Sequence, residues 1–351
     1  MSEGPELLID EQNAADYLRA GGWVDRSETI VVSRLSGGVS NEVLYVSRPE
    51  RKQDDFVLKQ VRAQLRTPQP WFASVARIWR EVEVMRVCQE VLDRTGDASL
   101  VAQTPRLVFE DRRNYAFAMS AAPREHRVWK RDLLEGSADA SVASQCGRLL
   151  GHLHAGTWMD ASLQQQMGDR TMFDELRLDP YYRSTAAARP EAAEHFERLI
   201  ASTDEHPRSL TLADFTPKNL LVWPGGLMMV DFETGHFGDP AFDLGLFLAH
   251  LMLKTIHRWQ QRERYIALTT AFWQSYEAIV APHIGQPEYD ALVSRGLEHL
   301  AGCAWARLDG KSRVEYLDDP AAREKVRRIC LGILESESPS DENPLKDAIE
   351  C

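Results

Sequence analysis

The chain has 351 residues, 44% of them apolar and 27% charged, the balance of an ordinary soluble globular protein and more chain than one hydrophobic core usually organises. A formal net charge of −12 argues against a nucleic-acid-binding surface and suits cationic or metal-chelated ligands. Five scattered cysteines (Cys88, Cys146, Cys303, Cys330 and Cys351) without CxxC spacing, and an acidic start without a basic-then-apolar leader layout, predict a reduced, cytoplasmic setting.

The first third reads as strand-rich. In TIVVSRLSGGVSNEVLYVS two β-branched runs are broken by Gly37 and Gly38, and DDFVLKQV is a short apolar strand ending in Lys59. Val75, Ile78, Val82, Met85, Cys88 and Leu92 recur at steps of three and four, which predicts an amphipathic helix. PRLVFED and NYAFAMSAAP then predict a hairpin ending at Pro123. Beyond it the pattern turns helical, over 141–155, 242–257 and 320–335. FDLGLFLAHLML is too short to cross a membrane and contains Asp243 and His250, so it reads as a buried core helix.

The expected fold class is therefore α+β with two lobes. Residues 1–121 form an N-terminal antiparallel sheet lobe with one main helix, and residues 122–335 a larger, mostly helical lobe. The acidic end, 336–351, is too poor in large apolar residues to fold.

Chemistry concentrates in the second lobe. In LTLADFTPKNLLV a carboxylate, Asp214, and an amide, Asn219, stand directly before an apolar run, an expensive place for polar groups without a task. In MMVDFETGHFGDPAFDLG, Asp231 follows a second apolar strand, and the short WPGG connection predicts a hairpin. Such a hairpin returns the chain to its start, so Asp214, Asn219 and Asp231 should converge. Asn219 and Asp231 suit Mg²⁺, which takes few protein ligands, and Asp214 is then free to accept a proton from an attacking hydroxyl. That division of labour is the phosphoryl-transfer template. Upstream, Gly37 and Gly38 let backbone N–H groups approach phosphate oxygens, and Glu81, on the inward face of its helix between Ile78 and Met85, can pair with Lys59.

LSGGVSNEVLYV, FVLKQ, REVEVM, ADFTPKNLLV and VDFETGHFGDPAFDLG, in this order between about residues 30 and 255, resemble the aminoglycoside phosphotransferase and choline kinase superfamily of small-molecule kinases with a protein-kinase-like bilobal fold. VLKQ and DFE look closer to its methylthioribose and choline kinases. The resemblance implies an ATP- and Mg²⁺-dependent enzyme with Asp214 as the catalytic acid–base group and Asn219 and Asp231 as metal ligands. It also implies a nucleotide loop from Ser36 to Asn41 (Ser36, Gly37, Gly38, Ser40 and Asn41), a phosphate-holding Lys59 with Glu81 as its partner, and an adenine-binding backbone hinge at Met119–Ala122. The acceptor would be a small hydroxyl compound such as an amino alcohol, an aminoglycoside or a sugar like methylthioribose. A monomer or homodimer without nucleic-acid or membrane partners is expected.

One departure bears on loop geometry rather than on the chemistry, so activity is expected to survive it. The family's His-Gly before the catalytic Asp is Leu212-Ala213 here, and Leu cannot supply the hydrogen bond by which that His braces the metal-binding loop. Weaker activity is one consequence and a nucleotide-binding pseudokinase the alternative.

Plainer roles exist for single residues. Asp214 and Asn219 could be turn-formers and SGGVSN a hairpin turn, Lys59 a surface lysine, and Glu83 a rival of Glu81. Asp239 and Asp243 read as structural groups capping a helix and receiving loop N–H groups. His152 and His154, two apart on a helix, cannot jointly chelate, and His236 reads as a loop residue. LDGKS at 308–312 lacks the leading Gly of a Walker loop, and no GxSxG or HExxH supports a hydrolase. Acceptor-pocket candidates are Trp158, Tyr181 and Tyr182 for an amine, and Arg177, Arg183 and Arg307 for an acid or polar sugar.

Overall fold

The strand Phe56–Val61 is buried at all six positions, which a strand with one solvent face would not be. It is the centre of a five-stranded antiparallel sheet, ordered Val31–Arg34, Asn41–Ser47, Phe56–Val61, Ala116–Ser120 and Leu107–Asp111. One face, carrying Phe56 and Leu58, closes a core with Ile9, Leu18, Val24, Leu44, Val46 and Phe109. Trp23 stacks on Phe109 with ring centroids 4.0 Å apart. Because side chains alternate along a strand, Lys59 points the other way, where it meets Glu81 of the helix Arg77–Arg94. Lys59 lies within the strand rather than at its end, two residues before Val61.

These coordinates are a computed structural model that describes residues 5–35, 41–62 and 77–336. The expected start of the helix at Val75 and the expected unfolded tail, apart from Ser336, lie outside the described residues. The chain divides into two compact units, one taking residues up to Gln89 and Thr104–His126, the other Glu90–Gln103 and the chain from Arg127 onward.

The second unit is mostly helical. Ala140–Gly156, Ala241–His257 and Pro320–Glu335 match the expected helices to within two residues. Two long helices, Arg262–Ile284 and Gln286–Asp309, have fainter periodicity. Ala241–His257 is buried at every position from Ala241 to Ile256, which is why apolar residues occupy every side of it, with Asp243, His250 and Lys254 buried among them. Close helix contact needs glycine at Gly245, where a Cβ would lie 2.5 Å from the His299 carbonyl carbon. Between Asp174 and Arg183 the helix widens to π geometry around Pro180, whose missing N–H cannot continue an α ladder.

Two small sheets carry the polar residues of interest. Leu220–Trp223 and Gly226–Met229 form the expected hairpin, with Trp223 opposite Gly226 and Leu220 opposite Met229, turned by Pro224 and Gly225 at φ 95°. Ala102–Gln103 and Arg127–Val128 flank it. Ser209–Thr211 pairs with His236–Gly238, so His236 is a buried strand residue stacked on Phe173 at 4.5 Å, not a loop residue. Among the described residues no helix is long and apolar enough to cross a membrane.

Candidate active site

The hairpin brings its two ends together. The Val230 N–H donates to the Asn219 carbonyl at 2.9 Å, extending the ladder by one pair and leaving Asp231 next to Asn219. A short 3-10 turn, Pro217–Asn219, folds the amide back on Asp214. The Asn219 Nδ2 donates to Asp214 Oδ2 at 2.8 Å and to the Asp214 carbonyl at 3.1 Å. With both donors so engaged, the acceptor Oδ1 is the end left for another group.

Asp214 is 4% exposed yet carries its charge. Arg177 Nη2 lies 2.8 Å from Oδ1 and Lys218 Nζ 2.9 Å from Oδ2. Burial pushes the carboxyl up, but Arg177, Lys218 and the Asn219 amide together outweigh it and hold Asp214 below the ordinary carboxylate range. Asp231 lies in the same field: after Asp214 and burial, its charge is among those acting on Lys218. So Asp214, Asn219 and Asp231 converge, and Lys218 and Arg177 join them.

Sequence reasoning passed over Lys218 and misassigned Arg177. Lys218 is four residues from Asp214, a spacing that could have flagged it. Arg177, a candidate for holding the acceptor, is spent on Asp214 and on the Ala213 carbonyl, to which its Nε donates at 2.5 Å. Its position depends on the π-helical turn, which leaves no periodic trace. Tyr182 is likewise corrected: it is fully buried and hydrogen-bonded to His299 Nδ1 at 2.8 Å, a core residue rather than an aromatic wall for a ligand. Arg183 pairs with Asp174 at 2.7 Å.

The loop is braced without a histidine. Asp243, fully buried, accepts the Leu212 N–H at 2.6 Å and the Ala213 N–H at 2.7 Å, and His154 Nε2 stands 3.3 Å from the same carboxylate. Thr234 Oγ1 donates to the Leu212 carbonyl at 2.8 Å, tying the segment after Asp231 to the strand before Asp214. On the loop's side these bonds use the backbone of Leu212 and Ala213, so a leucine side chain at 212 breaks none of them. Ala213 and Asp231 have φ of 56° and 72°, left-handed conformations that cost a non-glycine residue about 1–2 kcal/mol and gather where function over-determines the backbone. Asp239 accepts the Ala241 N–H at 3.0 Å and pairs with Arg295 at 3.0 Å, a structural part. His152 and His154 diverge, to Asp97 and to Tyr276 with Asp243.

In the other unit, Lys59 and Glu81 are 6% and 1% exposed, with Nζ 2.8 and 2.7 Å from the two carboxylate oxygens. Glu83 is at the surface, 3.7 Å from Arg80, which decides between the two glutamates for the partner of Lys59. Asn41 opens its strand opposite Val61 and is 7% exposed. Ala122, 6% exposed, follows the strand Ala116–Ser120. Ser36, Gly37, Gly38 and Ser40 lie outside the described residues.

No group of three or more His, Cys, Asp or Glu side chains among the described residues could hold an ion. Asn219 and Asp231 offer one amide oxygen and one carboxylate, donors of the kind Mg²⁺ takes where phosphates and water complete its shell.

A two-unit α+β fold with a buried, cation-paired carboxylate at the head of a hairpin defines the class of kinase-like phosphotransferases. The Phosphotransferase enzyme family model, APH, matches residues 31–281, and the chain belongs to that family. A methylthioribose kinase of Bacillus velezensis is 22% identical over 301 residues, with 77% of this chain and 73% of that protein covered. A choline kinase of Cryptosporidium parvum superposes with a TM-score of 0.51 at 11% identity, covering 97% of this chain and 92% of that one. A choline/ethanolamine kinase family protein of Mesorhizobium loti gives 0.50 at 14% identity, covering 97% and 100%. At such identities the likeness carries the fold and leaves the acceptor open.

Proposed function

We propose that the chain is an ATP- and Mg²⁺-dependent kinase that moves the γ-phosphoryl group to a hydroxyl of a small molecule. The observation that carries this is the state of Asp214: buried, ionised, and oriented by an amide whose oxygen is left for a metal. Asp214 accepts the acceptor's hydroxyl proton as the oxygen–phosphorus bond forms and the bond to the β-phosphate oxygen breaks. Lys218, half exposed beside Asp214, offsets the negative charge brought by the phosphoryl group. Asn219 and Asp231 hold Mg²⁺, which supplies positive charge against the phosphate oxygens. Lys59, fixed by Glu81, holds the nucleotide phosphates, with Ser36, Gly37, Gly38, Ser40 and Asn41 as the nucleotide loop and Ala122 in the adenine hinge. Among the described residues Cys146, Cys303 and Cys330 are buried thiols outside any disulfide, which suits a cytoplasmic enzyme.

The pseudokinase alternative rested on an unbraced loop, and the bonds from Asp243 and Thr234 supply that brace by another route. Incubating the purified chain with Mg-ATP and a panel of amino alcohols, sugars and hydroxy acids tests the proposal. Wild type should form a phosphomonoester, and Asp214→Asn should bind ATP yet lose about 10³-fold in kcat. Wild-type turnover by Asp214→Asn would defeat the assignment.

A further inference from the structure

Cations gather on the flank of the helix Ala241–His257, at residues to which neither the metal nor the nucleotide has been assigned. Lys254 is 1% exposed, and among the described residues its ammonium makes one hydrogen bond, to the His250 carbonyl at 3.2 Å on its own helix. Burial, then Lys130 and Arg307, bring it down to about 7. His250 lies in the same field: burial, then Lys254, Arg307, Lys218 and Lys130, hold its imidazole well below its ordinary value. Tyr316, between the helices Gln286–Asp309 and Pro320–Glu335, lies over Lys254 with its ring centroid 5.4 Å from Nζ. Two buried polar atoms here, Arg307 Nε and Tyr316 Oη, have no partner among the described residues. The carboxylate nearby is Glu315, 81% exposed and 3.4 Å from Lys130.

The cluster also leads to Asp214. The Arg307 guanidinium is 5.7 Å from the centre of the Tyr181 ring, and that ring is 5.9 Å from the guanidinium of Arg177, which pairs with Asp214. A chain of net charge −12 thus concentrates Arg307, Lys254 and Lys130 in one cluster, linked to Asp214 through Tyr181 and Arg177, with little carboxylate to balance them. Buried, uncompensated charge and orphaned donors work against folding. An oxyanion supplied by a ligand would satisfy both.

We propose that the acceptor is itself an anion, a small hydroxy compound bearing a carboxylate or a phosphate. Its oxyanion is held by Arg307, Lys254 and the Tyr316 hydroxyl while its hydroxyl faces Asp214. Arg307 and Lys130 form the accessible side, and Lys254 adds charge from behind. This deepens the kinase reading and rests on it.

The test is calorimetric titration of the full chain, its nucleotide site saturated with Mg²⁺ and a non-hydrolysable ATP analogue. The probes are glycerate, glycerol 3-phosphate, glycerol and ethanolamine. Glycerate or glycerol 3-phosphate should bind at least about tenfold tighter than both glycerol and ethanolamine, and which of the two does so tells carboxylate from phosphate. Lys254→Met and Arg307→Met should each abolish that preference and Arg307→Lys retain most of it, with circular dichroism melts confirming folded protein. Equal binding of the four probes, no binding of either anion, or an anion preference surviving in both methionine variants overturns the inference. Turnover with ATP separates the two conclusions. Phosphorylation of glycerol or ethanolamine in preference to the anions retires this site and leaves the kinase standing. Tight anion binding without transfer to any probe does the reverse.

Discussion

Lys254 carries a buried charge and Ala213 a left-handed backbone, two costs that substitution can measure. Lys254 in the folded chain titrates near about 7 rather than 10.5. At low pH the unfolded chain therefore holds its proton more tightly, and stability rises with pH between those values. The penalty is complete below pH 7, on the order of a few kcal/mol, and vanishes above about 10.5. Lys254→Met should raise urea stability by that amount at pH 6, with the gain shrinking by pH 9. A pH-independent gain would show that the lysine is solvated. Ala213, at φ 56°, donates its N–H to Asp243 and accepts from Arg177 through its backbone. Ala213→Gly keeps both bonds and relieves the side chain, for a gain of up to about 1 kcal/mol; a loss of stability in urea denaturation would contradict this.

At the scale of elements, the segment before Asp214 depends on the helix Ala241–His257 through Asp243. Asp243→Ala strands two buried N–H groups and should cost about 3 kcal/mol, with a larger fall in kcat than any change at Leu212. Restoring His-Gly at 212–213 should add little activity, because Asp243 and Thr234 already hold the loop. If the restoration raised kcat a hundredfold, the brace described here would be inadequate. In the sheet unit, Lys59→Met removes the ammonium 2.7 Å from Glu81, which is 1% exposed; Glu81→Gln in the same background should recover part of the lost stability.

These elements also separate what a sequence displays from what it conceals. The hairpin, and with it the meeting of Asp214, Asn219 and Asp231, was legible because strand alternation and a Pro-Gly turn are local signals. Glu81 was legible as the partner of Lys59 through helical period. Arg177 was not, since a π-helical turn around Pro180 aims it and no period of 3.6 describes that turn. Nor was the role of Asp243 toward Leu212 and Ala213, for it uses backbone groups whose residue type is free to vary.

At the scale of the whole molecule, the net charge of −12 suggested cationic ligands, whereas the charges around Lys254 favour an anion; a sum over the chain says nothing of where its signs lie. Asp309 shows the same principle in a structural role. Burial pushes its carboxyl up, but Arg327 and Arg189 pull it well below the ordinary range. Its stabilisation is present above about pH 4, the unfolded value, and is lost as pH falls through the folded one. Asp309→Asn should therefore cost more stability at pH 7 than at pH 3 in urea titrations.

In the proposed reaction an ionised Asp214 takes the proton of a small hydroxyl compound while that compound takes the γ-phosphoryl group of ATP. Phosphorus NMR of ATP, Mg²⁺ and the acceptor panel with the purified chain tests it most directly. Wild type should give a phosphomonoester and ADP, and Asp214→Asn neither. Release of inorganic phosphate alone, or the same phosphomonoester from Asp214→Asn, would contradict it.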